Sequence, residues 1–167
     1  MIYEFCAENV TLLEKAMQAG ARRIELCDNL AVGGTTPSYG VTKAAVELAS
    51  NYDTTIMTMI RPRGGDFVYN DLEISIMLED IRLTAQAGSQ GVVFGALTAD
   101  KKLDKANLEK LIAASKGMEI VFHMAFDDLS DQEQLEAIDW LSQAGVTRIL
   151  TRAGVSGDSL EKRFAHY

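Results

Sequence analysis

Short β-rich runs alternate with helical patterns along the whole chain of 167 residues. The predicted strands are short and nearly continuously apolar, and they cover residues 2–6, 23–27, 55–61, 91–95, 119–125 and 148–151. Helical patterns lie between them, at 10–19, 41–50, 71–87, 105–115 and 131–144, and a sixth is predicted from Ser159 onward. Because strand–helix alternation requires a parallel sheet covered by helices, the sequence predicts an α/β fold.

Two architectures fit, an open doubly wound sheet and a (β/α) barrel, and a weak internal repeat favours the barrel. A helix end, Ala-Gly, two further residues and a strand recur at Ala19, Ala87 and Ala144. Three β-α-β-α units are therefore present, whereas an eight-stranded barrel has four and usually needs about 250 residues. We predict one domain over 1–167, a (β/α)8 TIM-barrel type truncated to about six strand–helix units. A complete six-stranded open sheet is the alternative.

Composition excludes several classes of partner. The chain carries 24 acidic and 16 basic side chains, a formal net charge of −8, which argues against binding to nucleic acid or to a membrane surface. No apolar run approaches the ~20 residues of a membrane span, and the N-terminus lacks the pattern of a signal peptide. The two cysteines, Cys6 and Cys27, are therefore predicted to be free thiols in a cytoplasmic protein.

An arginine-glycine run begins in the third predicted strand and continues past its end, where residues 59–69 read MIRPRGGDFVY. Arginine is rare in a buried strand unless it holds an anion, so Arg61 and Arg63 predict an anion site. Proline stops strand pairing, and Gly64 and Gly65 let the backbone approach a ligand closely. Arginines that only fix the loop are the alternative.

Two further ionisable residues lie at strand ends, where parallel α/β folds place their sites. Glu25 is a carboxylate in a buried strand, so it requires a cation or a proton, and Arg61 on the next strand is its predicted partner. His123 shares a face with Asp127 if the fifth strand stays extended. This pair suits acid/base catalysis or metal ligation, and a satisfied core histidine is the alternative.

Both cysteines lie in the first two strands, each two residues after a glutamate. Adjacent parallel strands are about 5 Å apart, so the two thiols could share a soft metal such as Cu(I). Seven methionines add possible soft ligands, although methionine more often fills cores. Both cysteines as small buried apolar residues are the alternative.

Taken together, these motifs resemble the CutC copper homeostasis family. The resemblance covers the whole chain and rests on CAE at 6–8, RIELC at 23–27, GGTTPS at 33–38, MIRPRGGDFVY at 59–69, GVVFGALT at 91–98, and FH with AFD at 122–127. It implies a cytosolic (β/α)8 barrel that binds copper, with Cys6 and Cys27 as the Cu(I) ligands. Met124 departs from the family, which usually has arginine there.

We therefore predict a copper homeostasis protein that binds Cu(I) through paired cysteines and uses no nucleotide cofactor. The alternative is a TIM-barrel enzyme of the isomerase or lyase type, which acts on a small anionic metabolite. In that hypothesis Arg61 and Arg63 clamp the anion, Glu25 and His123 move protons, and Asp127 orients His123. An assembly role, with homo-oligomer formation, is the third hypothesis.

Overall fold

The structure of the protein is a computed structural model that describes residues 1–152. Six parallel strands form one sheet in which each strand lies beside the next one in the chain. A doubly wound sheet would reverse its strand order at a switch point, so the uninterrupted order confirms the barrel prediction. The strands are β1 (Glu4–Glu8), β2 (Arg23–Cys27), β3 (Thr55–Met59), β4 (Gly91–Phe94), β5 (Glu119–Phe122) and β6 (Arg148–Ile149).

Within residues 1–152, five α-helices connect the strands, and two short 3₁₀ turns cover Leu30–Val32 and Met124–Asp128. Asn70, Asp104 and Ser130 cap the starts of three helices, because each side chain accepts a hydrogen bond from the first helical turn. The predicted helix at Ser159 lies outside the described residues. The helices are α1 (Leu13–Gln18), α2 (Tyr39–Ala49), α3 (Asp71–Ala87), α4 (Lys105–Ala114) and α5 (Asp131–Gln143).

Two element ends differ from the predicted ones by three residues, the largest differences, and each has a local backbone reason. The first helix is predicted to begin at residue 10, but Asn9 and Leu12 both take left-handed conformations, so the chain turns and α1 begins at Leu13. The fifth strand was predicted to continue to residue 125, but β5 ends at Phe122 and a 3₁₀ turn follows His123. Side chains after His123 therefore do not alternate between faces as strand residues would.

The two faces of the sheet pack differently. Alternate strand residues such as Ile24, Leu26 and Ile56 lie under the helices in the larger clusters of buried side chains. The remaining strand residues form a separate inner cluster that contains Cys27, Met57, Met59, Val93 and Val121. This inner face carries the candidate site.

Within the described residues, no helix has both the length and the apolar character needed to cross a bilayer.

Candidate functional site

Cys6, Glu25 and Cys27 form one cluster on the inner face of β1 and β2. The strand register places Cys6 directly beside Glu25, and Cys27 follows two residues later on the same face. One donor atom from each residue lies within 4.8 Å of the other two. The Sγ of Cys6 donates to Glu25 Oε1 at 3.5 Å, and the Sγ of Cys27 lies 3.8 Å from the same oxygen. Two soft sulfurs and a carboxylate therefore converge on one point.

Burial favours the protonated forms of Glu25 and Cys27 when no metal is bound. Desolvation raises the pKa of the Glu25 carboxyl, and a hydrogen bond from Cys6 partly opposes the rise. The hydrogen bond to Cys6 and then burial raise the pKa of the Cys27 thiol. Cys6 is exposed, so it gives a metal ion a path from solvent to the buried Cys27. A metal bound here must displace thiol protons.

The predicted ion pair between Glu25 and Arg61 is not formed. Arg61 is buried, and its Nη1 donates to the carbonyl oxygens of Val32 at 2.8 Å and Gly34 at 3.0 Å. Its Nη2 donates to the carbonyl oxygen of Gly65 at 2.8 Å. The carbonyl oxygens of the β2–α2 loop occupy the guanidinium donors. Arg61 therefore joins that loop to the β3–α3 loop instead of contacting Glu25. The Nε of Arg61 is buried and has no hydrogen-bond acceptor among the described residues.

Arg63 holds the β3–α3 loop onto the start of α3. Its Nε donates to Glu73 Oε1 at 2.5 Å, and its Nη2 donates to the carbonyl oxygen of Val68 at 2.7 Å. This pairing lowers the pKa of the Glu73 carboxyl. A side chain at Gly64 would lie 2.8 Å from Val32 Cβ, and Gly65 has a φ of +87°, so both glycines are required by the loop itself.

His123 lies at the same end of the sheet and is fully buried. Its Nδ1 accepts a hydrogen bond from the Ala125 N–H at 3.2 Å, and its ring centroid is 4.8 Å from that of Phe67. Nε2 is buried without a hydrogen-bond partner in the described part of the chain. Burial, with a smaller effect from the charge of Arg61, lowers the pKa of His123 to about 3. The imidazole is therefore neutral.

Asp127 does not orient His123 as the sequence predicted. Its carboxylate accepts hydrogen bonds from the Thr151 hydroxyl at 2.5 Å and from the Arg152 N–H at 2.9 Å. The 3₁₀ turn that follows β5 is the reason, because it removes the alternation that would have placed Asp127 on the face of His123. Asp127 instead ties this turn to the segment after β6.

The sequence did not predict which residues pack around Arg61 and His123. The Phe67 ring contacts both Arg61 and His123. The Arg61 guanidinium lies 4.9 Å and the His123 ring centroid 4.8 Å from the centroid of the Phe67 ring. Gly95 makes room for the histidine, because a Cβ there would lie 2.7 Å from His123 Cε1. Phe67 follows the arginine-glycine run directly, but no local pattern says that its ring contacts a residue 56 positions away.

Solved structures of low sequence identity share the architecture. An aldolase named QR15 superposes with a TM-score of 0.68 at 12% identity, covering 99% of this chain and 72% of that one. An archaeal fructose 1,6-bisphosphate aldolase gives a TM-score of 0.60 at 14% identity, over 83% of this chain and 52% of that one. These likenesses show the fold alone, an α/β sheet of the TIM-barrel kind.

Much closer relatives identify the family. The sequence model of the CutC family matches residues 1–163. The family protein CutC of Enterococcus faecalis is 53% identical, over 99% of this chain and 79% of its own length. The relative from Streptococcus pyogenes is 53% identical, over 90% and 72%. The crystal structure of CutC from Streptococcus agalactiae superposes with a TM-score of 0.95 at 46% identity, over 99% and 79%. This chain belongs to the CutC family.

Proposed function

We propose that this chain binds Cu(I) in the cytoplasm as part of copper homeostasis, through Cys6 and Cys27. The observation that carries the proposal is the cluster itself, in which two thiol sulfurs and the Glu25 carboxylate lie within 4.8 Å of one another. Family membership supports the copper assignment, since the name of the Streptococcus agalactiae relative refers to copper homeostasis.

The donor set fits this metal better than a hard cation. Thiolates are soft ligands that select Cu(I), whereas Mg²⁺ and Ca²⁺ take oxygen ligands. Glu25 Oε1 already accepts from both thiols, so it lies where a thiol proton can go when the sulfur ionises. When bound, Cu(I) supplies a positive charge that stabilises the thiolates in this buried position.

The test is a Cu(I) competition titration under reducing, oxygen-free conditions, with a chromophoric Cu(I) chelator as competitor. We expect one tight site, and an affinity loss of more than about 100-fold in Cys6→Ser and in Cys27→Ser, beyond the loss typical of changing a residue that only supports a metal ligand. Ala7→Ser is the matched control, because it places a hydroxyl on the opposite, buried face of the same strand. Unchanged Cu(I) affinity in both cysteine variants would contradict the proposal.

A second candidate function is supported by a different observation. Arg61 Nε and His123 Nε2 are both buried and lack an acceptor among the described residues. Buried donors are nearly always paired in proteins, so these two favour a bound acceptor. We propose, as this second candidate, a TIM-barrel enzyme of the isomerase or lyase type that binds a small anionic metabolite there. Arg63, Gly64 and Gly65 would then shape the loop over the substrate.

Binding of simple anions tests this second candidate. Inorganic phosphate and acetate, titrated against chloride at matched ionic strength, are expected to raise the free energy of unfolding saturably. A ligand at a hundred times its Kd adds about 2.7 kcal/mol. The stabilisation is expected to disappear in His123→Phe and to persist in Cys6→Ser. Equal unfolding free energies in all three salts would contradict it.

A further inference from the structure

Four sulfur-containing side chains occupy neighbouring positions on the inner face of β1, β2 and β3. Cys6 pairs with Glu25, and Glu25 in turn pairs with Met57 on β3. The next residues, Leu26 and Thr58, are also paired, so one step further along the strands Cys27 lies beside Met59. Cys27, Met57 and Met59 are all fully buried in the inner cluster. The methionines are thus neighbours of the proposed copper ligands.

The Met59 side chain ends next to Cys27. Both side chains contact the position that a Cβ at Gly34 would occupy, with Cys27 Sγ 3.0 Å and Met59 Cε 3.6 Å from that point. Gly34 has a φ of +89° and no side chain, so the loop leaves this space to the two sulfur-containing groups. No hydrogen bond within the described residues occupies the Met59 thioether.

Met57 is directed elsewhere, although it is on the same face of the same strand. Its Sδ lies 2.7 Å from the position of a Cβ at Gly91, so the side chain fills the space left by that glycine on β4. Arg148 Nη2, on β6, lies 3.6 Å from the same sulfur. The Met57 thioether is therefore directed along the sheet toward β4 and β6, away from β2.

We propose that Met59 supplies a third, thioether ligand to Cu(I) held by Cys6 and Cys27. The inference rests on the proposed copper function and adds a ligand 32 positions from Cys27 in the chain. A thioether is soft, as Cu(I) requires, whereas the Glu25 carboxylate is a hard donor suited to other metals. It is also neutral, so it completes the site without bringing a further negative charge into a buried position.

The Met59 thioether is expected to make the site prefer Cu(I) over Zn²⁺. Zn²⁺ is held in proteins by thiolate, imidazole and carboxylate, and all but the imidazole are already present in the cluster. Loss of Met59 is therefore expected to weaken Cu(I) binding and to leave Zn²⁺ binding by Cys6, Cys27 and Glu25 unchanged. The ratio of the two affinities reports on the thioether alone.

The experiment compares Met59→Leu with Met57→Leu, a matched control on the same strand and face. Leucine for methionine is a tolerated exchange in a core, with a stability cost usually below about 1.5 kcal/mol. X-ray absorption at the copper edge is expected to show three sulfur neighbours in the wild-type protein and in Met57→Leu, and two in Met59→Leu. Cu(I) affinity is expected to fall about 10-fold in Met59→Leu, the lower end of losses from supporting groups.

The other outcomes distinguish a failure of the Met59 assignment from a failure of the copper function. Two sulfur neighbours in the wild-type protein overturn the Met59 assignment, and this measurement needs no variant to fold. Loss of the third sulfur in Met57→Leu instead of Met59→Leu also overturns it. In both cases the copper function stands if the cysteine variants lose Cu(I). A wild-type protein that binds no Cu(I) overturns the copper function and the Met59 ligand together.

Discussion

At the scale of single residues, the inner face of the sheet holds groups whose chemistry depends on exclusion from water. His123 is the clearest case, because its ring is fully buried and only its Nδ1 has a hydrogen bond within the described residues. Burial and the nearby Arg61 charge keep the imidazole neutral. A histidine in this state is a neutral hydrogen-bond donor at Nε2 rather than a cation.

This environment predicts a specific acid sensitivity. The pKa of His123 is about 3 in the folded protein against an ordinary value of 6.5. Between these values the unfolded chain binds a proton that the folded chain does not. The free energy of unfolding therefore falls as the pH drops from 6.5 toward 3, by at most about 1.4 kcal/mol per pH unit. Above pH 6.5 His123 contributes no pH dependence.

Urea denaturation at pH 7, 6 and 5 checks this expectation. His123→Gln should flatten the dependence of the unfolding free energy on pH over this range, because glutamine does not titrate. The chain's other histidine, His166, provides the control, and His166→Gln should keep the wild-type slope. A slope that survives in His123→Gln would show that other groups cause the acid sensitivity.

At the scale of elements, Arg61 organises the loops at the carboxyl ends of β2 and β3. One guanidinium donates to carbonyl oxygens at Val32, Gly34 and Gly65, and the backbone N–H of Arg61 donates to the Thr36 hydroxyl. These contacts position Gly34, whose missing side chain leaves space beside Cys27. Arg61 therefore shapes the loop beside the proposed metal site and is not one of its proposed ligands.

Replacement of Arg61 by lysine is expected to destabilise the protein. A lysine ammonium cannot reproduce the planar fork, so buried carbonyl oxygens lose their donors. The cost is expected to be about 2 kcal/mol or more, since each hydrogen bond to a charged group contributes roughly 1.5–3 kcal/mol. Chemical denaturation measures the change.

Arg82→Lys is the control for this substitution. Arg82 pairs with Glu79 on the surface of α3, and both side chains are more than half exposed. Exposed ion pairs contribute at most about 1 kcal/mol, so the free energy of unfolding should change little. Equal effects of the two substitutions would mean that the carbonyl contacts of Arg61 add no stability.

At the scale of the whole molecule, β1 and β6 are the two edges of the sheet in residues 1–152. Each pairs with one neighbour there. An apolar groove lies beside β6, formed by Phe126, Ile149 and the face of α5 that carries Leu135 and Ile138. Leu135 is 64% exposed and Ile138 is 45% exposed. Exposed apolar surface beside an edge strand of the described sheet favours association.

We expect this chain to self-associate with increasing concentration through the α5 face. Sedimentation velocity over a range of concentrations measures the effect, and Leu135→Lys with Ile138→Lys should shift the protein toward monomer. The control pair is Leu72→Lys with Ile76→Lys on α3, which are 70% and 43% exposed but lie far from either sheet edge in the chain order. A monomer at all concentrations would contradict the expectation.

Most of the fold could be predicted from the sequence, and the errors occur where local backbone geometry departs from regular structure. The β2 and α3 ranges agree with the predicted ones at both ends, because each has clear apolar periodicity and α3 begins with the Asn70–Glu73 capping box. The α1 start failed because Leu12 takes a left-handed conformation that leucine rarely adopts. No propensity scale anticipates such a residue.

The sequence by itself determined that this protein is a parallel strand–helix fold, and it determined that Glu25 and Cys27 share one face of their strand, beside the strand that carries Cys6. Both follow from local periodicity and from the pairing of consecutive strands. Only the tertiary structure decided the partners of Glu25 and Arg61, the isolation of His123, and the position of Met59 beside Cys27. These contacts join residues far apart in the chain, and they depend on where loops and side chains come to rest once the core is packed.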